Sequence, residues 1–365
     1  MKITAPHLGN VYLGVKALFH GLEIDYIMPP INNSLALEIG SLHSPEEICL
    51  PFKIMIGNYI QAIENGADTI IIPGSCGPCR FGEYSEMQMN LLKRLGYNLD
   101  FIVIDGPSDI GIKELYKRIN MISLSSNKSR YLKLKSLLNS IRIVNLIDEI
   151  EGKAHYLAGY EKDKGYCKKI LNNCKRDALN FNDPKDMLRV LSYYRSKIND
   201  VEIDKAKKPI KIAIIGEIYT IIEPFSNFYI EDKMMDYGVS TKRQLTPSWW
   251  IKDMLLVPTK LNSLDIKREG KEYLSLGIGG HARECVGEAV LAHKEGFDGA
   301  IQIFPMGCMP EIVSKAILPR ISEDKDFPIM SLVVDEMTGE AGYVTRIEAF
   351  IDLLERRRKN ALSWS

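Results

Sequence analysis

Net charge is the first thing this sequence lacks: 47 Lys and Arg residues balance 47 Asp and Glu. A balanced chain has no electrostatic footprint for nucleic acid and no attraction to an anionic membrane surface. Long hydrophobic runs are also missing, and none approaches the roughly 20 residues that cross a bilayer. The start, Met1-Lys2-Ile3-Thr4-Ala5-Pro6, lacks the apolar core of a signal peptide, so a cytoplasmic location is expected. No ATP motif is visible, and Gly277-Ile278-Gly279-Gly280 lacks the G-x-G-x-x-G spacing of a dinucleotide loop, which leaves it a turn. An even cysteine count is absent too. Seven cysteines cannot all pair, and a reducing cytosol keeps thiols free. Clustered cysteines in such a protein point to metal or redox chemistry.

What is present is enough chain for two domains, with 365 residues of which 45 % are apolar. The N-terminal third alternates strand and helix. Strands are expected at Lys2–Ala5, Asp25–Met28, Asp68–Ile72 and Phe101–Asp105. Helices are expected at Val11–His20, closed by Gly21, at Pro51–Glu64 and at Glu83–Leu95. Strands alternating with helices imply an α/β fold with mostly parallel sheets. From about Ile110 to Ile203 the pattern changes to lysine-rich helix with few glycines and prolines. A second α/β stretch begins at Ile210–Gly216 and continues with strands Gly299–Phe304 and Pro328–Val334, and helices Pro310–Ile321 and Thr345–Arg358. The run Arg356-Arg357-Arg358 suits a helix C-terminus. The expected organisation is therefore an N-terminal α/β lobe (1–109), a helical bridge or insert (110–209) and a C-terminal α/β lobe (210–365).

Four cysteines sit where a strand or loop hands over to a helix. Cys76 and Cys79 lie in Pro73-Gly74-Ser75-Cys76-Gly77-Pro78-Cys79-Arg80, directly after a strand. Cys49 is followed by Leu50-Pro51, and Cys308 by Met309-Pro310-Glu311, each with a proline suited to a helix start. Helix N-termini favour thiolate over thiol, and ligands of parallel sheets gather beyond the C-terminal strand ends. If the two lobes face each other, Cys49, Cys76, Cys79 and Cys308 complete a four-thiolate site. Such a site takes zinc or an iron–sulfur cluster. Structural zinc sites use two closely spaced pairs, whereas these cysteines are spread over most of the chain, which favours a cluster. Cys285 is a possible fifth thiolate or a packing residue. Cys167 and Cys174, seven positions apart on one helical face, read as structural.

At these residues the chain resembles a known family. The stretches are Pro6-His7-Leu8-Gly9-Asn10, Cys49-Leu50-Pro51-Phe52-Lys53, Gly74-Ser75-Cys76-Gly77-Pro78-Cys79-Arg80-Phe81-Gly82, and Cys308-Met309-Pro310-Glu311-Ile312-Val313 through Asp335-Glu336-Met337-Thr338-Gly339-Glu340-Ala341-Gly342. Gly216-Glu217-Ile218-Tyr219 with Glu223-Pro224-Phe225 also fits. They resemble the acyl-CoA dehydratase activase-related, or CoA-substrate-specific enzyme activase, proteins of the 2-hydroxyacyl-CoA dehydratase and benzoyl-CoA reductase-subunit superfamily. The resemblance implies two Rossmann-like lobes joined by the helical segment, with one [4Fe–4S] cluster in the interlobe cleft. It implies an oxygen-sensitive protein of anaerobic metabolism that takes low-potential electrons from a separate ATP-hydrolysing activator of the actin/hexokinase-like fold. An acyl-CoA substrate and a homodimer follow by the same analogy. The alternatives are a double-cubane reductase of small molecules, which recruits Cys285, and a non-catalytic scaffold holding zinc or a cluster.

His7, Glu336 and Glu340 are further candidates for catalysis, with Asp335, Glu217 and Tyr219 placed near them in the sequence or at a comparable strand end. His7 follows the first strand and suits acid/base work or a plain loop hydrogen bond. Glu336 and Glu340, with Asp335, follow the strand ending at Val334 and suit proton transfer, partner binding or capping of the next helix. Glu217 and Tyr219 end the first strand of the second lobe.

Overall fold

The computed structural model describes residues 1–74, 79–105, 107–256 and 263–363. By proximity the chain forms two units. Met1–Ile150, Asn172–Ser196 and Thr246–Asn262 make the first; Glu151–Leu171, Lys197–Leu245 and Ser263–Ser365 make the second. Each unit holds one wholly parallel sheet, so the chain is α/β as the alternating pattern implies.

The first sheet is built from β1 (Ile3–Thr4), α1 (Val11–Leu22), α2 (Ser34–His43), α3 (Leu50–Glu64), β2 (Thr69–Pro73), a 3-10 turn (Arg80–Glu83), α4 (Tyr84–Arg94), β3 (Asp100–Ile104) and α5 (Pro107–Leu124), in strand order β1-β2-β3. The strand expected at Asp25–Met28 is reduced to one bridge between Ile3 and Tyr26. Pro29 and Pro30 have no N–H, so the ladder cannot continue past Met28. Helix α1 runs past Gly21 and closes at Glu23, which adopts the left-handed conformation (φ 54°).

Helix α2 has no counterpart among the expected elements. Asn33 starts it by accepting the Ala36 N–H at 2.9 Å. It lies hard against α3: a Cβ on Gly57 would sit 1.8 Å from the Ala36 carbonyl oxygen, and one on Gly40 1.7 Å from that of Lys53. Two helix backbones approach this closely only where both contact positions lack a side chain. The result is an α3 buried on every side from Leu50 to Ala62, which is why its sequence shows no clear apolar face.

Helices α6 (Arg130–Leu157), α7 (Tyr166–Leu179) and α8 (Pro184–Asn199) follow, their residues divided between the two units. The second sheet comprises β4 (Lys211–Gly216), α9 (Ile218–Ile222), α10 (Ile230–Asp236) and β5 (Ser240–Lys242). After α11 (Pro247–Leu256), which belongs to the first unit, come α12 (Leu264–Gly270), α13 (Ala282–Lys294), β6 (Gly299–Pro305), α14 (Met309–Asp324), β7 (Ile329–Val334) and α15 (Glu340–Ser363). Strand order is β5-β4-β6-β7. All of β6 is buried, as expected of a central parallel strand covered on both faces. Its core neighbours include Ile215, Val286, Val290 and Phe327. The Arg356–Arg358 run does not end α15, which continues to Ser363. Arg357 instead binds Asp326, and Arg358 binds Asp298, so two of the three arginines tie the helix to loops of its own unit.

Because β5 and β6 flank β4 on opposite sides, the chain leaves the ends of β4 and β6 in opposite directions. That is the switch point where parallel sheets form ligand crevices. Gly216 closes β4 with φ 129°, and a Cβ there would lie 2.1 Å from the Ile303 carbonyl oxygen. The glycine lets β4 stay against β6 to its last residue, which sets Glu217 and the Met306–Cys308 turn at that edge.

Candidate functional site

Cys49, Cys79 and Cys308 hold one position in three different elements. Each is the residue before the first helical one, with extended backbone: φ −67°, ψ 149° before α3, φ −73°, ψ 131° before the 3-10 turn, and φ −71°, ψ 101° before α14. Helices usually place Ser, Thr, Asp or Asn there to accept a backbone N–H. None of the three thiols makes such a capping bond, so each sulfur stands at the positive end of a helical turn without being used to close it. All three are half-buried and none forms a disulfide. Pro51 is the second residue of α3, Leu50 being the first. Cys76 lies outside the described residues.

Two ties bring the loops of Cys49 and Cys79 together. Arg80 Nη1 donates to the Glu47 carbonyl at 2.7 Å, and the Tyr84 hydroxyl is in hydrogen-bond contact with Cys49 Sγ. Lys53, one turn beyond Cys49 and 1 % exposed, donates to the Glu46 carbonyl at 3.0 Å and holds the turn that carries the cysteine. Among the described residues, no three Cys, His, Asp or Glu side chains are gathered as ligands of a metal ion. The chemistry of the donors nonetheless fits a thiolate-bound cluster. Soft sulfurs stand at three helix starts, where the backbone N–H groups favour thiolate.

The other cysteines are placed differently. Cys285 is fully buried on the first turn of α13 beside Glu311 and Ser314, and burial followed by the charges of Glu311 and Glu288 pushes its thiol well up. Cys167 and Cys174 are fully buried on α7, and burial followed by Glu161 pushes the Cys167 thiol up. Inert thiols of this kind pack as small hydrophobes.

His7 is 3 % exposed and its Nε2 lies 3.0 Å from the Pro29 carbonyl. A carbonyl only accepts, so Nε2 carries a proton and donates it to Pro29. Burial lowers its pKa against the opposing backbone bonds to Pro29 and Pro30. The Tyr12 ring stands edge-on to it at 5.5 Å. Glu217 starts α9, accepting the N–H groups of Tyr219 and Thr220 at 2.9 and 2.8 Å, and Tyr219 is buried behind it. Asp335 closes the turn after β7 by accepting from Thr338 Oγ1 at 2.7 Å and Met337 N–H at 3.0 Å. Glu336 is half-buried in that turn. Glu340 is the first residue of α15 and pairs with Lys233 at 2.8 Å.

Two buried groups escaped the sequence reading. In the first, Glu311 accepts from Gln302 Nε2 and Ser314 Oγ, both at 2.9 Å, and Gln302 Oε1 accepts from Ser331. Burial raises Glu311 to about 7 against the lowering effect of these bonds. Glu288, 2 % exposed, is pushed well above the carboxylate range by burial and then by Glu284 and Glu311. The signal was a glutamine inside the apolar strand Gly299–Pro305, since a buried amide needs a buried partner. In the second, Arg243 pairs with Glu151 and Glu231, while His155 Nδ1 lies 3.0 Å from Glu231. Burial alone would raise Glu231, but Arg243 and His155 hold it below its ordinary value. No local pattern announces a pair 92 positions apart.

No protein-family model matches the chain, and a comparison with curated proteins finds no match. The class defined by the structure is a two-sheet parallel α/β protein with no helix, among the described residues, long and apolar enough to cross a membrane.

Proposed function

We propose that this chain is an iron–sulfur protein of ATP-dependent, low-potential electron transfer, with one [4Fe–4S] cluster on Cys49, Cys76, Cys79 and Cys308. The observation that carries the proposal is the shared geometry of Cys49, Cys79 and Cys308: each precedes a helical turn in extended conformation, and none spends its thiol on capping. A cluster bound there supplies one-electron chemistry at low potential. The chain's part is to hold four thiolates, to set backbone N–H groups against their negative charge, and to fix the Cys49 loop against the Cys79 loop through Arg80 and Tyr84. Four ligands leave Cys285 to the core of its own unit. The electron donor is a separate ATP-hydrolysing activator of the actin/hexokinase-like fold, and the acceptor class is an acyl-CoA thioester. His7, Glu336 and Glu340 are the side chains proposed to meet the substrate. The protein works in the cytoplasm of an anaerobe as a homodimer.

Iron and acid-labile sulfide per chain, measured on anaerobically purified protein, test the proposal. About four of each supports it. Replacing Cys49, Cys76, Cys79 or Cys308 by Ser is expected to lower iron content sharply, and Cys167→Ser and Cys174→Ser to leave it intact. About eight iron atoms would favour the double-cubane reading. Stoichiometric zinc without iron would sink the electron-transfer reading and leave a scaffold.

A further inference from the structure

We infer that Tyr84 sets the reduction potential of the proposed cluster by donating a hydrogen bond to the sulfur of Cys49; the inference rests on the cysteine ligation proposed above. Tyr84 is the first residue of α4 and only 2 % exposed, yet its hydroxyl reaches Cys49 Sγ. Two rings hold the phenol in place. Phe52 stands edge-on at 5.1 Å and 87°, and Phe81 lies at 5.1 Å and 53°. Phe52 sits on α3 three residues after Cys49, so the helix start that presents the thiol also presents the ring that aims the phenol. Phe81 comes from the turn that follows Cys79. Tyr84 is thus locked by both cysteine loops, with its one polar atom directed at sulfur.

The direction of the bond follows from the chemistry. A metal-bound thiolate has no proton to give, so the phenol O–H donates and Cys49 accepts. An electron supplied by the ATP-driven activator to a cluster held there would increase the negative charge on Cys49 Sγ and the other ligand sulfurs. The phenol proton stays on oxygen and no bond breaks. A fixed donor in a buried setting stabilises that added charge more than the charge present before it. Tyr84 therefore favours the reduced state and raises the potential; hydrogen bonds to sulfur are among the factors that set cluster potentials. Tyr84 acts through Cys49 and is a positioning residue.

The test uses the full chain, purified anaerobically as wild type, Tyr84→Phe and Tyr59→Phe. Tyr59 is a fully buried phenol on α3 whose hydroxyl has no hydrogen-bond partner among the described residues, so it controls for removing a buried hydroxyl. Iron and sulfide content and an EPR-monitored redox titration are read on all three. The expected result is unchanged iron in each, a more negative midpoint in Tyr84→Phe and a wild-type midpoint in Tyr59→Phe. A wild-type midpoint in a fully loaded Tyr84→Phe overturns the role of Tyr84 while leaving the cluster reading intact. Equal shifts in both variants overturn it as well, because the effect would then belong to the core. Loss of iron from a folded Tyr84→Phe, judged by circular dichroism, overturns potential setting in favour of site assembly. A wild-type chain without iron overturns the cluster reading, and the Tyr84 role falls with it.

Discussion

Arg80 Nη1 donates to the carbonyl of Glu47 at 2.7 Å, so one guanidinium joins the residue after Cys79 to the residue two before Cys49. The side chain is exposed, and surface substitutions of this kind change stability by about 0.5 kcal/mol or less. Arg80→Ala is therefore expected to leave the thermal midpoint nearly unchanged while iron passes to a chelator several-fold faster. Arg80→Lys keeps the charge but loses the planar fork and should fall between the two. Equal chelation rates in all three proteins would show that the tie does not organise the loops.

Glu311 gives the second unit a pH dependence whose sign can be worked out. Its folded pKa is about 7 against an ordinary 4.5, burial being the main cause. A raised folded pKa means that the contribution is fully present below the ordinary carboxyl range and is lost as pH rises through about 7. The full displacement corresponds to about 3 kcal/mol. Urea midpoints of the wild type should fall between pH 5 and pH 8, and Glu311→Gln, which stays neutral, should fall less. Parallel pH profiles for the two proteins would show that Glu311 ionises as it does in water.

The legible parts of the sequence were those with a local cause. The apolar runs of β2, β4, β6 and β7 sit between turn residues, and each was visible to within about two residues, the ordinary uncertainty of element ends. Proline after Cys49 and Cys308 announced α3 and α14. Helix α2 was hidden because its apolar residues are spread round the helix, Leu35 and Leu42 facing solvent while Ala36 and Gly40 are buried, and the reason for that glycine, the Lys53 carbonyl, lies on the next helix. Arg356–Arg358 looked like a helix end because three basic residues suit one. Their partners Asp298 and Asp326 are brought near only by the folded sheet. Of the site, the backbone setting of Cys49, Cys79 and Cys308 was readable from strand-to-helix handovers. The Tyr84 contact was not, because it spans 35 positions and depends on how α4 packs.

The α2–α3 contact should tolerate no methyl group. A Cβ on Gly57 would meet the Ala36 carbonyl at 1.8 Å, and that atom is backbone, with no flexible end to yield. Overpacking in cores costs about 1–3 kcal/mol. Helix propensity, which favours Ala over Gly by about 1 kcal/mol, works in the opposite direction and is too small to offset the clash. Gly57→Ala is expected to lower the thermal midpoint by several degrees and to lower iron content, since α3 presents Cys49. Gly152→Ala, on α6 where a Cβ meets nothing within 4 Å, should be neutral or stabilising. A Gly57→Ala protein as stable as wild type would mean that α2 and α3 do not approach as described.

The Arg243 network separates the cost of burying charge from the cost of leaving it unpaired. Arg243, Glu151 and Glu231 have side chains only 7, 4 and 8 % exposed, so solvent screens them little. Removing Arg243 leaves two carboxylates buried without their cation, and breaking such a group typically costs about 3–5 kcal/mol. Arg243→Ala should therefore unfold at markedly lower urea than wild type. Arg189→Ala, which breaks a surface pair with Asp186, should not differ measurably. The informative protein is the triple variant Arg243→Met, Glu151→Leu, Glu231→Leu. It removes the charges together, so the desolvation cost disappears with the attraction, and most of the lost stability should return. Recovery in the triple variant and loss in the single one would locate the penalty in the uncompensated carboxylates. A triple variant as unstable as Arg243→Ala would instead mean that the polar contacts themselves, including the Arg243 bond to the Ile221 carbonyl at 3.1 Å, hold this part of the unit together.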